Sequence, residues 1–292
     1  NLHPNFSSRG PPGVASPAQP IAMGPVKFDD IPKVATEVLN DDYQVSGYVL
    51  KTKQKTSWAG SVFSSQVDLF ASDKCSTPAK LTWKLPQPFG CTAFNIDKLE
   101  MDKGGQFKLE ASSDKAHKDV KLECKSDLAD ISKITAVCTF TGLKDARVMF
   151  ECKATNPQDF SAEATYAMGA AVAGLKFTPK GALPDFGLYF KHGPMFCSLM
   201  AKEQLGAFGA TGFYKVSDDL KVATAFDLPS KGAPKMVVGL TYRGLYKVKV
   251  SQDQSVCCSV KHHLEKGFTL LGGAKYDVVK GAFSYGCQLS IE

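Results

Sequence analysis

From Tyr43 to Glu292 the chain is built of short stretches in which apolar and polar positions alternate, each closed by a turn-like Gly, Pro, Asp, Asn or Lys. The final stretch, KGAFSYGCQLSIE, is the plainest. Phe283, Tyr285, Cys287, Leu289 and Ile291 share one face of an extended strand, and Ala282, Ser284, Gly286, Gln288 and Ser290 share the other. ARVMFECKAT repeats the pattern, with Val148, Phe150, Cys152 and Ala154 set against Arg147, Met149, Glu151 and Lys153. So do KDVKLECKSD, SKITAVCTFT, PKMVVGLTYR and YKVKVSQ. Segment starts fall near residues 43, 57, 76, 89, 104, 117, 131, 145, 159, 170, 185, 195, 205, 219, 234, 245, 255, 267 and 280, which predicts nineteen strands. Their length suits a tilted strand of about 9–11 residues crossing a bilayer.

Two regions before Tyr43 differ. Residues 1–24, NLHPNFSSRGPPGVASPAQPIAMG, are rich in Pro, Gly, Ser and Ala and read as a flexible extension with no core of its own. It has no apolar signal-peptide centre, and its one Arg is a poor basis for a transit peptide. Residues 25–42 place Phe28, Ile31, Val34, Ala35, Val38 and Leu39 at helical spacing, with Asp29 and Asp30 where a helix N-terminus favours negative charge. This predicts one amphipathic helix. On periodicity alone, a helix packed on a soluble core is the simpler reading.

Nineteen consecutive hairpin-linked strands make a sheet too long to stay open without curling. Closing it removes the edges and leaves a lumen too wide to fill with side chains. Water suits the polar face, and lipid suits the apolar one, where unpaired backbone is costly enough to compel closure. Two stacked soluble β domains would bring a break in composition mid-chain, and there is none.

Composition permits this. The chain has 292 residues, 43% hydrophobic and 22% charged, and its mean hydropathy is -0.13. No run approaches the roughly eighteen apolar residues of a spanning helix. Alternating strands, by contrast, average out near neutral. The net charge of +6 is too mild to imply nucleic-acid binding. Nine cysteines without a CxxC pair do not make a disulfide framework and read as reduced thiols.

Several segments carry a resemblance. KFDDIPKVATEVLNDDYQVSGYVLKTKQKT is similar to the start of the voltage-dependent anion channels, the eukaryotic porins, whose helix leads into a strand ending in a Leu-Lys-Thr-Lys run, here Leu50–Lys53. FYKVSDDLKVATAFDL resembles the family's signature strand pair, and VCCSVKHHLEKGFTLLGGAKYD to the terminus matches its last three strands in spacing. Ser284, Gly286, Leu289 and Ile291 fit the sorting signal of mitochondrial barrels. The resemblance covers residues 25–292. Barrels of this family have nineteen strands, so strand count and resemblance are not independent.

The resemblance implies an all-β membrane barrel of about nineteen strands with an N-terminal amphipathic helix inside the pore, residues 43–292 forming the barrel. It further implies a voltage-gated, mildly anion-selective channel of the mitochondrial outer membrane. Metabolites, nucleotides and ions would diffuse through it, small anions such as ATP, ADP and phosphate among them. The bilayer is one partner; a second copy or other mitochondrial membrane proteins are further ones. Lys33, Glu37 and Asp41 of the helix would face the permeation path. This chain departs from the pattern in several places, the tail before Met23 being an extension beyond the usual start. The glycine-rich hinge after the helix is reduced to DDYQVSG, with only Gly47; Asp41 replaces a basic residue; and FGCTAFNID has no match for a membrane-facing carboxylate on the fourth strand.

On the polar faces of the strands stand Lys80, Lys84, Lys108, Lys121, Lys125, Lys133, Arg147, Lys153, Lys221, Lys235, Arg243, Lys247, Lys249, Lys261 and Lys275. Against these fifteen cations stand Glu110, Glu123, Glu151, Glu163, Asp227 and Asp277. Such an excess around water concentrates anions. The preference is expected to be mild, because charges are screened over about 8 Å at physiological ionic strength. A protein-conducting import barrel of the same membrane is the alternative function, but as a family it needs acidic patches for basic presequences. Enzymatic chemistry has no foothold. His3, His117, His192, His262 and His263 lack metal-ligand spacing, Cys257 and Cys258 point to opposite faces, and no phosphate-binding or nucleophile motif is present. No cofactor or metal is expected.

Overall fold

The structure, a computed structural model, describes residues 24–56, 60–69 and 79–292. The extension assigned to residues 1–24 lies, apart from Gly24, outside the described residues.

Nineteen strands are present among the described residues. In chain order they are β1 Gly47–Lys55, β2 Val62–Asp68, β3 Ala79–Leu85, β4 Asn95–Asp102, β5 Phe107–His117 and β6 Val120–Asp127. β7 is Asp130–Phe140, β8 Ala146–Lys153, β9 Asn156–Met168, β10 Ala171–Phe177, β11 Asp185–His192, β12 Met195–Lys202 and β13 Ala207–Lys215. β14 is Leu220–Leu228, β15 Lys235–Tyr242, β16 Tyr246–Ser251, β17 Ser255–Glu265, β18 Phe268–Asp277 and β19 Ala282–Ile291. Each pairs antiparallel with the next, and β1 pairs with β19 to close one nineteen-stranded barrel. An up-and-down run with an odd number of strands ends on a strand that points the same way as its first. The closing pair is therefore parallel, in register from Gly47 opposite Gly286 to Thr52 opposite Ile291.

Direct partners in a ladder point to the same face, so the pairing assigns both faces around the barrel. Lys249, Gly239, Ala223 and Phe213 lie opposite one another in turn on β16, β15, β14 and β13 and face inward. The alternate set faces outward: Val148, Phe150, Leu188, Leu199, Val238, Leu240, Val250 and Tyr285 are all exposed. An apolar band of that extent is unsustainable in water and suits the hydrocarbon of a bilayer. No helix here is long and apolar enough to cross a membrane; the strands do so.

The N-terminal helix is shorter than the sequence pattern suggests. A 3-10 turn at Phe28–Asp30 precedes α1, Lys33–Asn40. Pro32 separates the two because it lacks an N–H to carry the α-helical ladder through. Asp42, at φ 58, turns the chain out of the helix. The fourth strand likewise begins later than its pattern, since Pro88–Gly90 forms another 3-10 turn before β4.

Inside the barrel, Phe28, Ile31, Ala35, Val38 and Leu39 form a buried cluster with Val172, Tyr189, Phe196, Met200 and Ala223 of the wall. Phe28 and Ile31 are fully buried, each worth about 1.5–3 kcal/mol relative to exposure. The wall makes room with inward glycines. A Cβ at Gly174 or Gly187 would lie 2.9 or 2.6 Å from Ile31 Cδ1, and one at Gly239 would lie 2.7 Å from Leu39 Cδ2. The linker to β1 runs equally close. A Cβ at Gly273 would meet Gln44 O at 2.5 Å, and one at Gly286 would meet Ser46 N at 2.6 Å. Residues 28–47 thus follow a track of glycines along the inner wall.

A side chain on that track should lift the segment and leave the ladder intact. Gly273→Val is expected to keep the strand content and heat resistance of the barrel. Limited proteolysis near Lys33 in detergent should speed up about tenfold, as a docking loss of about 1.4 kcal/mol gives. Equal cleavage rates would show that the linker does not depend on this contact.

Candidate functional site: the lumen and its helix

Charge on the inner wall comes in two arrangements. From β3 to β9 most inward cations are matched. Glu100 lies 3.7 Å from Lys80 and 3.0 Å from Lys98, and Lys98 is also 3.6 Å from Glu110. Lys121 meets Glu123 at 2.6 Å; Lys133 lies 3.6 Å from Asp127 and 3.4 Å from Asp130; Lys153 pairs with Asp159. Arg147 and Glu163, both largely buried, are 3.4 Å apart. Pairs of this kind cancel locally and add little to the field in the pore.

Lys84, Lys108, Lys125, Lys221, Lys235 and Lys275 also stand on the inner face. None has an ion pair among the described residues. Lys191 and Lys202, opposite Phe196 and Ala207, face inward as well. These ammonium groups bring unpaired positive charge to the lumen, and inward Glu151 and Asp227 likewise have no ion pair among the described residues.

Lys247, Lys249 and Lys261 are engaged differently: they hold the helix. Lys247 Nζ donates to Glu37 O at 3.2 Å and Asp41 O at 3.0 Å, and Lys249 Nζ donates to Leu39 O at 2.8 Å. Asp42 Oδ2 is 3.7 Å from Lys247 and 3.5 Å from Lys261. Lys249 also lies over the Tyr43 ring, 4.4 Å from its centroid. Burial pushes the Tyr43 phenol far above its ordinary value, the nearby Cys257 and Cys258 thiols adding to the effect. Both ends of the segment are therefore fixed. At the other end Lys176 Nζ reaches Asp29 Oδ2 at 2.9 Å, and Thr165 Oγ1 donates to Val26 O at 2.6 Å.

The polar side of α1 carries exposed Lys33, Glu37 and Asp41, Lys33 lying 3.6 Å from Asp30. Between α1 and β12–β16 a cleft of about 400 Å³ is lined by Thr36, Asn40, Met200, Lys202, Asp227 and Lys235 among others. The structure sets Glu110, Glu123, Glu151, Glu163, Asp227 and Asp277 on the inner face, opposite Lys125, Val137, Ser161, Lys176, Lys235 and Ser255 respectively. Arg243 is not on the wall. It lies in the turn after β15 at φ 54, its guanidinium 5.2 Å from the Tyr242 ring centroid and its Nε 3.4 Å from Asp219. Ser284 and Gly286 point inward, and Leu289 and Ile291 point outward beside Leu270 and Phe268.

Sequence alternation missed Lys51 and Lys53 of β1, Lys98 of β4 and Lys176 of β10, all inward-facing. Lys51 and Lys53 sit in the Leu-Lys-Thr-Lys run and alternate as strand residues, so that signal was present. Lys98 was hidden by the bulge between Ile96 and Lys98, which shifts the register by one. No group of His, Cys, Asp and Glu among the described residues could hold a metal ion.

A family model described as eukaryotic porin matches residues 24–286. None of the curated proteins compared with this chain matches it. Among solved structures, OmpT of Vibrio cholerae, folded in vitro, is 12% identical over 77% of this chain and 67% of that one, with a TM-score of 0.20. A loop L8 deletion mutant of the same outer-membrane protein is 12% identical over 80% and 76%, with a TM-score of 0.18. At such scores neither superposes well enough to carry an argument. The match along nearly the whole chain, on a closed barrel with its helix inside, places the chain in the eukaryotic porin family, whose members form pores in an outer membrane.

Proposed function

We propose that this porin is a voltage-gated, mildly anion-selective pore of the mitochondrial outer membrane. Metabolites, nucleotides and ions, including ATP, ADP and phosphate, would cross it by diffusion. One observation carries this reading: inward lysines such as Lys84, Lys108, Lys125 and Lys221 have no ion pair among the described residues, whereas most inward carboxylates from β3 to β9 are held against a cation. The residual field is positive and favours anions in the lumen. Its effect is modest, because it decays over about 8 Å at physiological ionic strength. Voltage acts on the same charges. Moving one across 100 mV is worth about 2.3 kcal/mol, so displacing a few suffices for closure. A mitochondrial address is supported by the fit of Ser284, Gly286, Leu289 and Ile291 to the barrel sorting pattern.

Single-channel recording across a salt gradient tests the selectivity. Lys84, Lys108, Lys125 and Lys221 changed together to Glu should move the reversal potential towards zero or into cation preference at low salt. Near molar salt, where the screening length is about 3 Å, the change should be small. Val120, Leu122, Val248 and Val250 changed to Ala face lipid and should leave the potential where it was. An unmoved potential in the lysine set would locate selectivity at the helix or the pore mouths instead.

The address is tested separately. Leu289→Asp puts a carboxylate on the lipid face of the closing strand. It should lower insertion into isolated mitochondria several-fold, whereas Ser290→Ala, facing the lumen, should insert normally. Full insertion of Leu289→Asp would remove the C-terminal strand as the address.

A further inference from the structure

Six of the cysteines among the described residues stand on the outward face: Cys124, Cys138, Cys152, Cys197, Cys258 and Cys287. Cys197, Cys258 and Cys287 are placed singly on β12, β17 and β19. The other three are gathered. Cys124 of β6 and Cys152 of β8 both lie opposite Ala136 of β7. Cys138 follows two positions along β7, opposite Leu122 and the exposed Phe150. It is thus a diagonal neighbour of both other cysteines, at about 7–8 Å. That is too far for a disulfide without moving the ladder, and all three thiols are free.

The three thiols line one hollow of about 390 Å³ on the outer face, together with Leu122 and Phe150. Phe94 joins them from the loop before β4, which is tied to β5 where Ser113 Oγ donates to Ala93 O at 2.6 Å. Water does not enter an apolar hollow that opens on hydrocarbon, so the occupant is the acyl chain of a neighbouring lipid.

That setting selects the chemistry. The thiolate is the form of cysteine that attacks electrophiles, and hydrocarbon offers an isolated anion neither water nor a partner. Loss of a hydrogen atom from sulfur creates no charge, so a low dielectric does not oppose it. Polyunsaturated acyl chains supply the acceptor, because their autoxidation yields peroxyl radicals that take hydrogen atoms.

We propose that Cys124, Cys138 and Cys152 form a hydrogen-atom donor site for lipid peroxyl radicals. The O–H bond of a lipid hydroperoxide forms as one S–H bond breaks, leaving a thiyl radical. A neighbouring thiol passes its own hydrogen atom to that sulfur and takes over the radical, with no net change in bonds. Cys152 is the outlet. It stands one residue before the end of β8, whereas Cys138, level with Phe150, lies two residues or about 7 Å deeper. At the interface a water-soluble hydrogen-atom donor such as ascorbate restores the thiol and becomes the ascorbyl radical. Each cycle reduces one peroxyl radical and oxidises one ascorbate by one electron.

The full chain in liposomes of a polyunsaturated phosphatidylcholine provides the test, with a lipid-soluble azo initiator, ascorbate in the water and conjugated-diene absorbance as the readout. Wild type should slow diene formation several-fold relative to the chain with Cys124, Cys138 and Cys152 all changed to Ser. Changing Cys197, Cys258 and Cys287 to Ser instead should leave the wild-type rate. Cys152→Ser alone should protect only until its remaining thiols are used, and ascorbate should no longer prolong the effect. Without ascorbate, a hydrophobic spin trap and mass spectrometry on the wild type should place the radical on the three gathered thiols ahead of Cys197, Cys258 and Cys287. That reading needs no variant to fold. Equal diene rates for wild type and the first triple variant, an equal loss of protection in the second, or trapping spread evenly over all six thiols would each overturn the proposal. So would protection by Cys152→Ser that ascorbate still prolongs. None of these readouts involves conduction, so they stand apart from the tests of the proposed function.

Discussion

A strand in hydrocarbon has no water to satisfy the N–H and C=O groups along its edge, and each bare group costs several kcal/mol. Every other feature of this barrel follows from meeting that demand. The ladder must close, and with nineteen strands it can close only through a parallel pair, β1 with β19. The lumen that results is too wide for the wall to fill, so the inner face is polar and the outer face apolar, and the register decides which residue does which. The pairing of β19 with both β18 and β1 fixes that choice for the C-terminal strand from two sides.

Closure also explains how a helix of eight residues can sit inside without a conventional core. An isolated helix that short is marginal in water. Here its apolar side is buried against β10–β15, and its free carbonyl end is held by lysines of the wall. Gly239 lets the helix approach the backbone closely, Gly174 and Gly187 do the same for Ile31 before it, and Gly273 and Gly286 for the linker after it. Gly286 therefore has a packing reason of its own to be glycine, independent of any sorting pattern it fits.

Much of the fold was legible in the sequence because a two-residue period repeated around a barrel is a strong signal even when each strand is a weak one. The existence of the strands and of the helix could be read from apolar spacing. Their limits could not. Pro32 divides the predicted helix, and Pro88–Gly90 delays the fourth strand, both through local backbone chemistry that an apolar pattern does not encode. The lumenal charges were harder. Alternation says which face a lysine is on, yet nothing in Lys247 or Lys249 distinguishes them from Lys221. Only the packed position of α1 shows that two of these are bound to carbonyls, while Lys221 has no ion pair among the described residues. Arg243 was misplaced for a simpler reason: its polarity continues the alternation of β15 by one residue, into a turn.

The distinction matters for how such a pore handles anions. Counting lumenal lysines overstates the field, because an ammonium held by Glu123 or by the end of α1 is already partly neutralised. The net charge of the chain, +6, understates it, because the surplus is concentrated on one inner face while carboxylates also sit in turns such as Asp218 and Asp219. What counts on the inner wall is the set of charged groups that remain after the internal pairs are removed. With α1 seated, Lys247, Lys249 and Lys261 are occupied by its C-terminal end. The seat of the helix and the charge of the wall are then parts of one arrangement, joined through the lysines of β16 and β17.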